Sequence, residues 1–240
     1  MSDEQQFTIK DDVDVELIKN TATDDDVIWA ARVSTVGELA SVHPPEARRK
    51  GLINYLMKHR HGSPFEHTSM TFRISAPIFV FREFQRHRVG WSYNEASGRY
   101  MEMAPMFYVP PPGRNLVQEG KAGAYTFVQG TEEQFTATRN LLARNARESY
   151  AVYQSLLEMG VAKEVARMSL PLNLFSHMYA TCNARSLMHF LGLRTHSEDA
   201  AFPSFPQREI EMVAEKMETE FARLMPLTYE AFCLNGRVSP

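Results

Sequence analysis

Between Arg86 and Tyr100 the chain reads Arg-His-Arg-Val-Gly-Trp-Ser-Tyr-Asn-Glu-Ala-Ser-Gly-Arg-Tyr, placing Arg86, His87, Arg88 and Arg99 beside a carboxamide, a carboxylate and hydroxyls. Guanidinium forks suit phosphate oxygens and the carbonyl edge of a pyrimidine or a flavin. A Ser-Gly step offers a hydroxyl and backbone amides to an anion at close range. Burying so many polar groups without a ligand is costly, so an anionic nucleotide is the natural occupant. The same residues also read as a solvated basic turn in which Glu95 pairs with one arginine. Ser97 invites a nucleophile reading, but no base stands in an evident triad order, and the following Gly98-Arg99 suits phosphate positioning better. His59, His61 and His67 are close enough to suggest zinc, yet no carboxylate spacing accompanies them and each also reads as a structural or surface group. Trp91 and Tyr93 fit either stacking platforms or core positions.

The elements that must position these groups can be read from periodicity. Pro44 to His61 opens with prolines suited to a first helical turn and places Ile53, Leu56 and Met57 at helical spacing, which predicts a helix ending near His59. Met70, Phe72 and Ile74 alternate with Thr71 and Arg73, as in a half-buried strand, and a second helix is expected after Pro77. Met106 to Gly130 is rich in Pro and Gly and reads as a long irregular surface excursion with a short strand over 125–128. Phe135, Leu142, Ala146, Tyr150, Tyr153 and Leu157 then step at about 3.6 residues, with Gly160 as the C-cap of the longest helix. Ile210, Val213, Met217, Phe221 and Leu224 mark a C-terminal helix. No internal repeat is evident, so the reading is a single α+β domain over residues 1–240, with a mixed or antiparallel sheet packed by long helices.

Composition excludes several classes. At 240 residues with 44% hydrophobic content the chain can bury a substantial core. Its apolar runs are too short to cross a bilayer, and the acidic N-terminal stretch lacks a signal peptide's basic and apolar regions, so a cytoplasmic protein with no membrane partner is expected. Cys182 and Cys233 form neither a disulfide framework nor a zinc spacing. A formal net charge of -3 argues against a general nucleic-acid binder. No Gly-x-Gly-x-x-Gly follows a strand, so a dinucleotide would not be held by a Rossmann fingerprint.

Arg86-His-Arg88, a spacer and Ser97-Gly-Arg-Tyr100 resemble the signature of the flavin-dependent thymidylate synthases. Further blocks resemble the same family in the same order: Ala31-Arg-Val-Ser34, Tyr55 to His59 with His61 and Pro64-Phe-Glu-His67, Ala76-Pro-Ile-Phe79, Glu164-Val-Ala-Arg167, Leu170-Pro-Leu-Asn173, and Asn183 to Met188 with Leu193-Arg194. Collinear blocks over roughly residues 28–195 are far more specific than one motif.

The resemblance implies methylation of dUMP to dTMP, with 5,10-methylenetetrahydrofolate as carbon donor and FAD, reduced by NADPH or NADH, as hydride source. It implies a homotetramer with active sites at subunit interfaces. Ser63, Arg86, His87, Arg88, Glu95, Asn183, Ala184, Arg185 and His189 match FAD contacts. Glu83, Phe84, Gln85, Arg86, Glu95, Ala96, Ser97, Gly98, Arg99, Arg167 and Arg194 match dUMP contacts. Arg194 is the catalytic position, assigned to stabilising uracil deprotonated at N3. His61 belongs to the folate and flavin neighbourhood, Arg32 and Ser34 to a block near the cofactor, and no metal is implied. Neither cysteine stands in the Pro-Cys-His context of the folate-only synthases.

Three features depart from the family pattern. Val89 to Ala96 makes an eight-residue spacer where many members have seven, His189 stands where some relatives carry Asn, and His196 to Pro206 looks long and irregular. Competing readings are a nucleotide- or RNA-binding module using Arg86 to Arg99 and a metal-dependent nucleotide hydrolase built on the histidines. A yellow purified protein would favour the flavin reading over both.

Overall fold

The structure is a computed structural model that describes residues 6–36, 45–121 and 124–240; Pro44, at the head of the first predicted helix, lies outside them. In chain order the elements are β1 (Thr8–Lys10), β2 (Asp14–Asn20), α1 (Asp24–Val36), α2 (Glu46–Lys58), β3 (Met70–Pro77), α3 (Ile78–Phe84), β4 (Trp91–Glu95), β5 (Met106–Tyr108), β6 (Asn115–Lys121), β7 (Ala124–Gln129), α4 (Glu132–Glu158), α5 (Lys163–Ala166), β8 (Phe175–Cys182), α6 (Ala184–Arg194), α7 (Arg208–Leu224) and α8 (Pro226–Leu234). A four-stranded sheet has the order β2-β3-β8-β4, β1 pairs with β5 in parallel, and β6 pairs with β7 antiparallel. The architecture is α+β.

The chain forms two compact units, each assembled from three separate segments. The first comprises Met1–Val13, Ser75–Arg82 and Glu95–His177. Its long helix α4 starts because Thr131 and Gln134 close a reciprocal capping box, with Glu132 and Glu133 favourably placed against the positive helix end. It stops where Gly160, one residue past the C-cap Met159, adopts a left-handed φ of 79°. Most of α4 is exposed; Ala146 and Tyr153 form its buried line, packed with Met103, Phe107, Ala166 and Leu174. The Tyr153 hydroxyl accepts from the Met103 amide (3.1 Å), and the Tyr150 hydroxyl donates to the Met103 carbonyl (3.1 Å). These two bonds fix the segment that follows Arg99.

The region from Met106 to Gly130 corrects the reading of an irregular excursion. It contains β5 and a paired hairpin of β6 and β7 with a register irregularity between Asn115 and Val117. Glycine and proline signals there mark strand ends and the turn at Gly113 (φ 81°), not a structureless loop.

The second unit comprises Asp14–Ile74, Glu83–Asn94 and Met178–Pro240. The stripe of Ile210, Val213, Met217 and Phe221 is fully buried, as the helical period requires, and α7 packs on α6 and α8. Asp24, the first residue of α1, is buried. Its carboxylate accepts from the Thr228 amide (2.9 Å), the Thr228 hydroxyl (2.6 Å) and the Leu227 amide (2.9 Å). A carboxylate from a distant segment thus satisfies the open amides at the start of α8. Phe84 stacks on Phe190 (4.9 Å between ring centres) and Trp91 on Tyr93 (5.7 Å), forming an aromatic floor under α6.

Candidate functional site

In the second unit the sequence places a guanidinium at the last residue of α6. Arg194 Nε donates to His87 Nε2 (3.0 Å), and Arg194 Nη1 donates to Glu83 Oε2 (2.5 Å). Glu83 comes from the end of α3, and His87 from the turn that follows it, where the His87 amide bonds back to the Phe84 carbonyl (2.8 Å). The Tyr93 hydroxyl holds the same turn through the carbonyls of Phe84 (3.1 Å) and His87 (2.8 Å). Its pKa is raised by burial and then by the proximity of Cys182.

His87 is buried, and its pKa falls to about 4, first through burial and then through the positive fields of Arg194 and His189. The ring is therefore neutral near pH 7, with Nε2 as acceptor and the proton on Nδ1. Burial raises the Glu83 pKa; Arg194 pulls it back down, and Glu209 pushes it up. Arg194 has five N–H donors, of which His87 takes one and Glu83 one. The Nη2 pair is unspent among the described residues.

A neighbouring cavity of about 450 Å³ is lined by Glu66, Val89, Gly90, Asn183, Arg185, Ser186, His189, Ser239 and Pro240. Asn183 caps α6, its side chain accepting from the Ser186 amide (2.9 Å), while the Ser186 hydroxyl donates to the Val89 carbonyl (2.9 Å). Gly90 has φ 69°, and a Cβ there would lie 2.1 Å from Ser186 Oγ, so only glycine brings this turn against the helix start. Arg185 donates from Nε to the Pro240 carbonyl (2.6 Å) and from Nη1 to Glu66 (2.5 Å). A Cβ on Gly62 would stand 2.5 Å from Arg185 Nε, so that glycine clears the guanidinium's path. A helix N-terminus with an amide cap, an arginine and a backbone approach fits a phosphate-bearing cofactor by donor chemistry.

The first unit carries the other half of the signature. The Ala96 amide bonds the His177 carbonyl (2.8 Å), and the Ser97 hydroxyl accepts from the Arg99 amide (3.3 Å), so Ser97 is committed to a turn. Arg99 Nε donates to Glu164 (2.9 Å) across an exposed pair. A Cβ on Gly98 would meet the Arg167 side chain at 3.1 Å, so the Ser-Gly step lies directly against that second arginine. Burial raises the Glu95 pKa, against the lowering influence of Ser176, Arg167 and Arg82 in that order.

The structure thus brings together Glu83, His87 and Arg194, gathers Asn183, Arg185 and His189 around one cavity, and sets Gly98 and Arg99 with Arg167 and Glu164. Gln85, Arg86 and Arg88 are exposed on the turn after α3, and Ser63 is exposed at the start of a 3-10 turn. Phe84 and Ala184 are fully buried, so their side chains pack in the core beneath the site. His61 and His59 lie against the Tyr55 ring, and His67 meets the edge of Trp29. Trp91 and Tyr93 belong to the aromatic floor. Glu66, Gly62, Gly90, Ser186 and Glu164 were not singled out as ligand contacts from sequence. Glu66, Gly90, Glu164 and Ser186 lay inside quoted motifs, yet their roles depend on partners 65 to 119 positions away.

Comparison with known proteins gives a consistent result. A family model described as thymidylate synthase complementing protein matches residues 16–227. The flavin-dependent thymidylate synthase of Streptomyces avermitilis is 64% identical over 241 residues, covering 100% of this chain and 98% of the relative. That of Tropheryma whipplei (strain TW08/27) is 54% identical over 230 residues, covering 95% of each. Among solved structures, the UMP/dUMP methylase PolB from Streptomyces cacaoi superposes with a TM-score of 0.90 at 50% identity when bound with 5-Br UMP, covering 98% of this chain and 100% of that one. Its complex with 5-Br dUMP gives 0.91 at 52% identity, covering 97% and 100%.

Proposed function

The chain belongs to the thymidylate synthase complementing protein family, the flavin-dependent thymidylate synthases, and from that premise we propose that it methylates dUMP to dTMP with 5,10-methylenetetrahydrofolate as carbon donor and NADPH as reductant. A bond forms between the folate's methylene carbon and uracil C5 as that carbon's two bonds to folate nitrogen break and tetrahydrofolate leaves; the C5 proton is lost, and a hydride equivalent (two electrons and a proton) from the nicotinamide completes the methyl group. When bound, FAD supplies that reduction as a hydride.

The observation that carries the reading is the fixed guanidinium of Arg194, held from two sides by neutral His87 and by Glu83, with Nη2 unspent among the described residues. A remaining Nη2 N–H donated to a uracil carbonyl would stabilise the negative charge that develops when N3 loses its proton. Delocalisation of that charge into the ring raises electron density at C5. Arg99 and Arg167, with the Ser97-Gly98 turn, are assigned to the nucleotide phosphate; Glu83, Gln85, Arg86, Glu95 and Ala96 complete the nucleotide contacts. Ser63, Arg86, His87, Arg88, Asn183, Arg185 and His189 are assigned to FAD, with His61 beside the folate and flavin. The donor set at the start of α6 fits a pyrophosphate or ring carbonyl.

We also propose a homotetramer in which the 240-residue chain acts as a single domain, with active sites at subunit interfaces. PolB was crystallised with both uridine and deoxyuridine nucleotides. UMP is therefore the second substrate to consider. In an anaerobic assay with [5-³H]dUMP, methylenetetrahydrofolate and NADPH, the purified yellow protein is expected to release tritium and oxidise reduced flavin together. A colourless protein, or one releasing no tritium, would overturn the proposal, and [5-³H]UMP as sole substrate discriminates the alternative.

A further inference from the structure

We infer that Arg237 is a positioning residue for Arg194, holding the last turn of α6 at the angle from which the Arg194 guanidinium reaches His87 and Glu83. The inference rests on the catalytic assignment of Arg194.

Arg237 follows α8 and adopts a left-handed φ of 56°, unfavourable for a residue with a Cβ. Its side chain is 9% exposed, and the guanidinium grips Glu218 with both Nη1 (2.7 Å) and Nη2 (3.0 Å). Tyr229 donates to the same carboxylate (2.8 Å), and the Phe232 ring lies 5.1 Å below the guanidinium carbon. A buried ion pair is seldom more stabilising than apolar side chains of the same volume. A strained backbone carrying such a pair therefore asks for a purpose other than stability.

That purpose is legible where Arg237 touches α6. Nη2 donates to Thr195 Oγ1 (2.7 Å), and the Arg237 carbonyl oxygen lies 2.8 Å from where a Cβ on Gly192 would stand. Gly192 lies in the last turn of α6 and Thr195 is the extended C-cap that follows Arg194, so the residue meets the helix end at two points. Thr195 is buried, and its hydroxyl also donates to the Leu191 carbonyl (2.8 Å), which makes the hydroxyl a link between the Arg237 fork and the helix. Arg194 lies between these two points and is the last residue of α6, where helices fray unless their final carbonyls are tied. Gly192 is required because any side chain would push the helix off the Arg237 carbonyl.

The test compares Arg237→Lys and Thr195→Val holoenzymes, each in the native and in the Arg194→Lys background. Thr195→Val preserves shape while removing the hydroxyl, and it decides the question if Arg237→Lys fails to fold. Expected is a fall in kcat of about 10- to 100-fold with little change in KM for dUMP or in bound flavin, because a displacement of about 1 Å is enough for such a loss. In the Arg194→Lys background the further loss should shrink to less than about 2-fold, since the residue being positioned is already gone. Unchanged kcat in both single variants, or an equal loss in both backgrounds, would overturn the inference and leave Arg237 a structural brace. Native turnover in Arg194→Lys alone would instead remove the catalytic assignment, and the inference with it.

Discussion

The two arginine-bearing regions differ in how their charges are held. In the second unit, Arg194 and Glu83 are 19% and 24% exposed, and the guanidinium carries two side-chain bonds, one to a histidine kept neutral by burial. In the first unit, Arg99 and Glu164 are 54% and 52% exposed, and their pairing is a single bond in solvent. A group that must meet charge developing in a transition state gains from being fixed before the substrate arrives, whereas one that collects a phosphate from solution works from an exposed and movable side chain. The same residue type is thus assigned to chemistry in one region and to capture in the other.

That contrast can be broken experimentally. The largest effect is expected for Arg194→Ala, with a loss in kcat on the order of 10³-fold, as when a preorganised donor to developing charge is removed; near-native turnover, measured by tritium release, would erase the distinction. Next, His87 links the preorganised region to pH. Its folded pKa of about 4 lies below the unfolded value, so the unfolded chain binds more protons between pH 4 and 6.5. Stability is full above about pH 6.5 and falls as pH drops toward 4, by about 2 to 3 kcal/mol for this group. His87→Gln should flatten that part of the denaturation profile; an unchanged slope would mean the ring is not held neutral.

Smaller effects sharpen the contrast on the capture side. Arg167→Ala should raise KM for dUMP about 10-fold and leave kcat within a few-fold, the pattern of uniform binding; a fall in kcat with unchanged KM would move Arg167 into the chemistry. Smallest is Glu164→Gln, which should change stability by less than about 1 kcal/mol, as exposed ion pairs do. A shift of several kcal/mol in chemical denaturation would show the Arg99 pair to be structural.

The sequence carried the long regular elements well and the contacts between them poorly. Stripes such as Ile210 to Phe221 and the line through Ala146 and Tyr153 repeat with the helix period, so α7 and α4 were legible, as was β3 from its alternation. β8 alternates buried Met178, Ala180 and Cys182 with more accessible Tyr179 and Thr181, a signal present but not taken up. The hairpin of β6 and β7 was obscured because the glycines and prolines of this stretch, Gly120 within β6 among them, resemble loop composition. At the site, the Arg86 to Arg99 motif named the chemistry, but the bonds that fix it join Glu83 to Arg194, Glu66 to Arg185 and Thr195 to Arg237 across 42 to 119 positions. Periodicity is local and carries no information on such pairs.

The most direct test of the central role given to Arg194 is the protonation state of bound uracil. With ¹⁵N3-labelled dUMP on the holoenzyme, NMR near pH 7.5 is expected to show loss of the one-bond N3–H coupling in the native protein and its retention in Arg194→Gln. An N3–H coupling that persists in the native complex, with the nucleotide fully bound, would contradict the account.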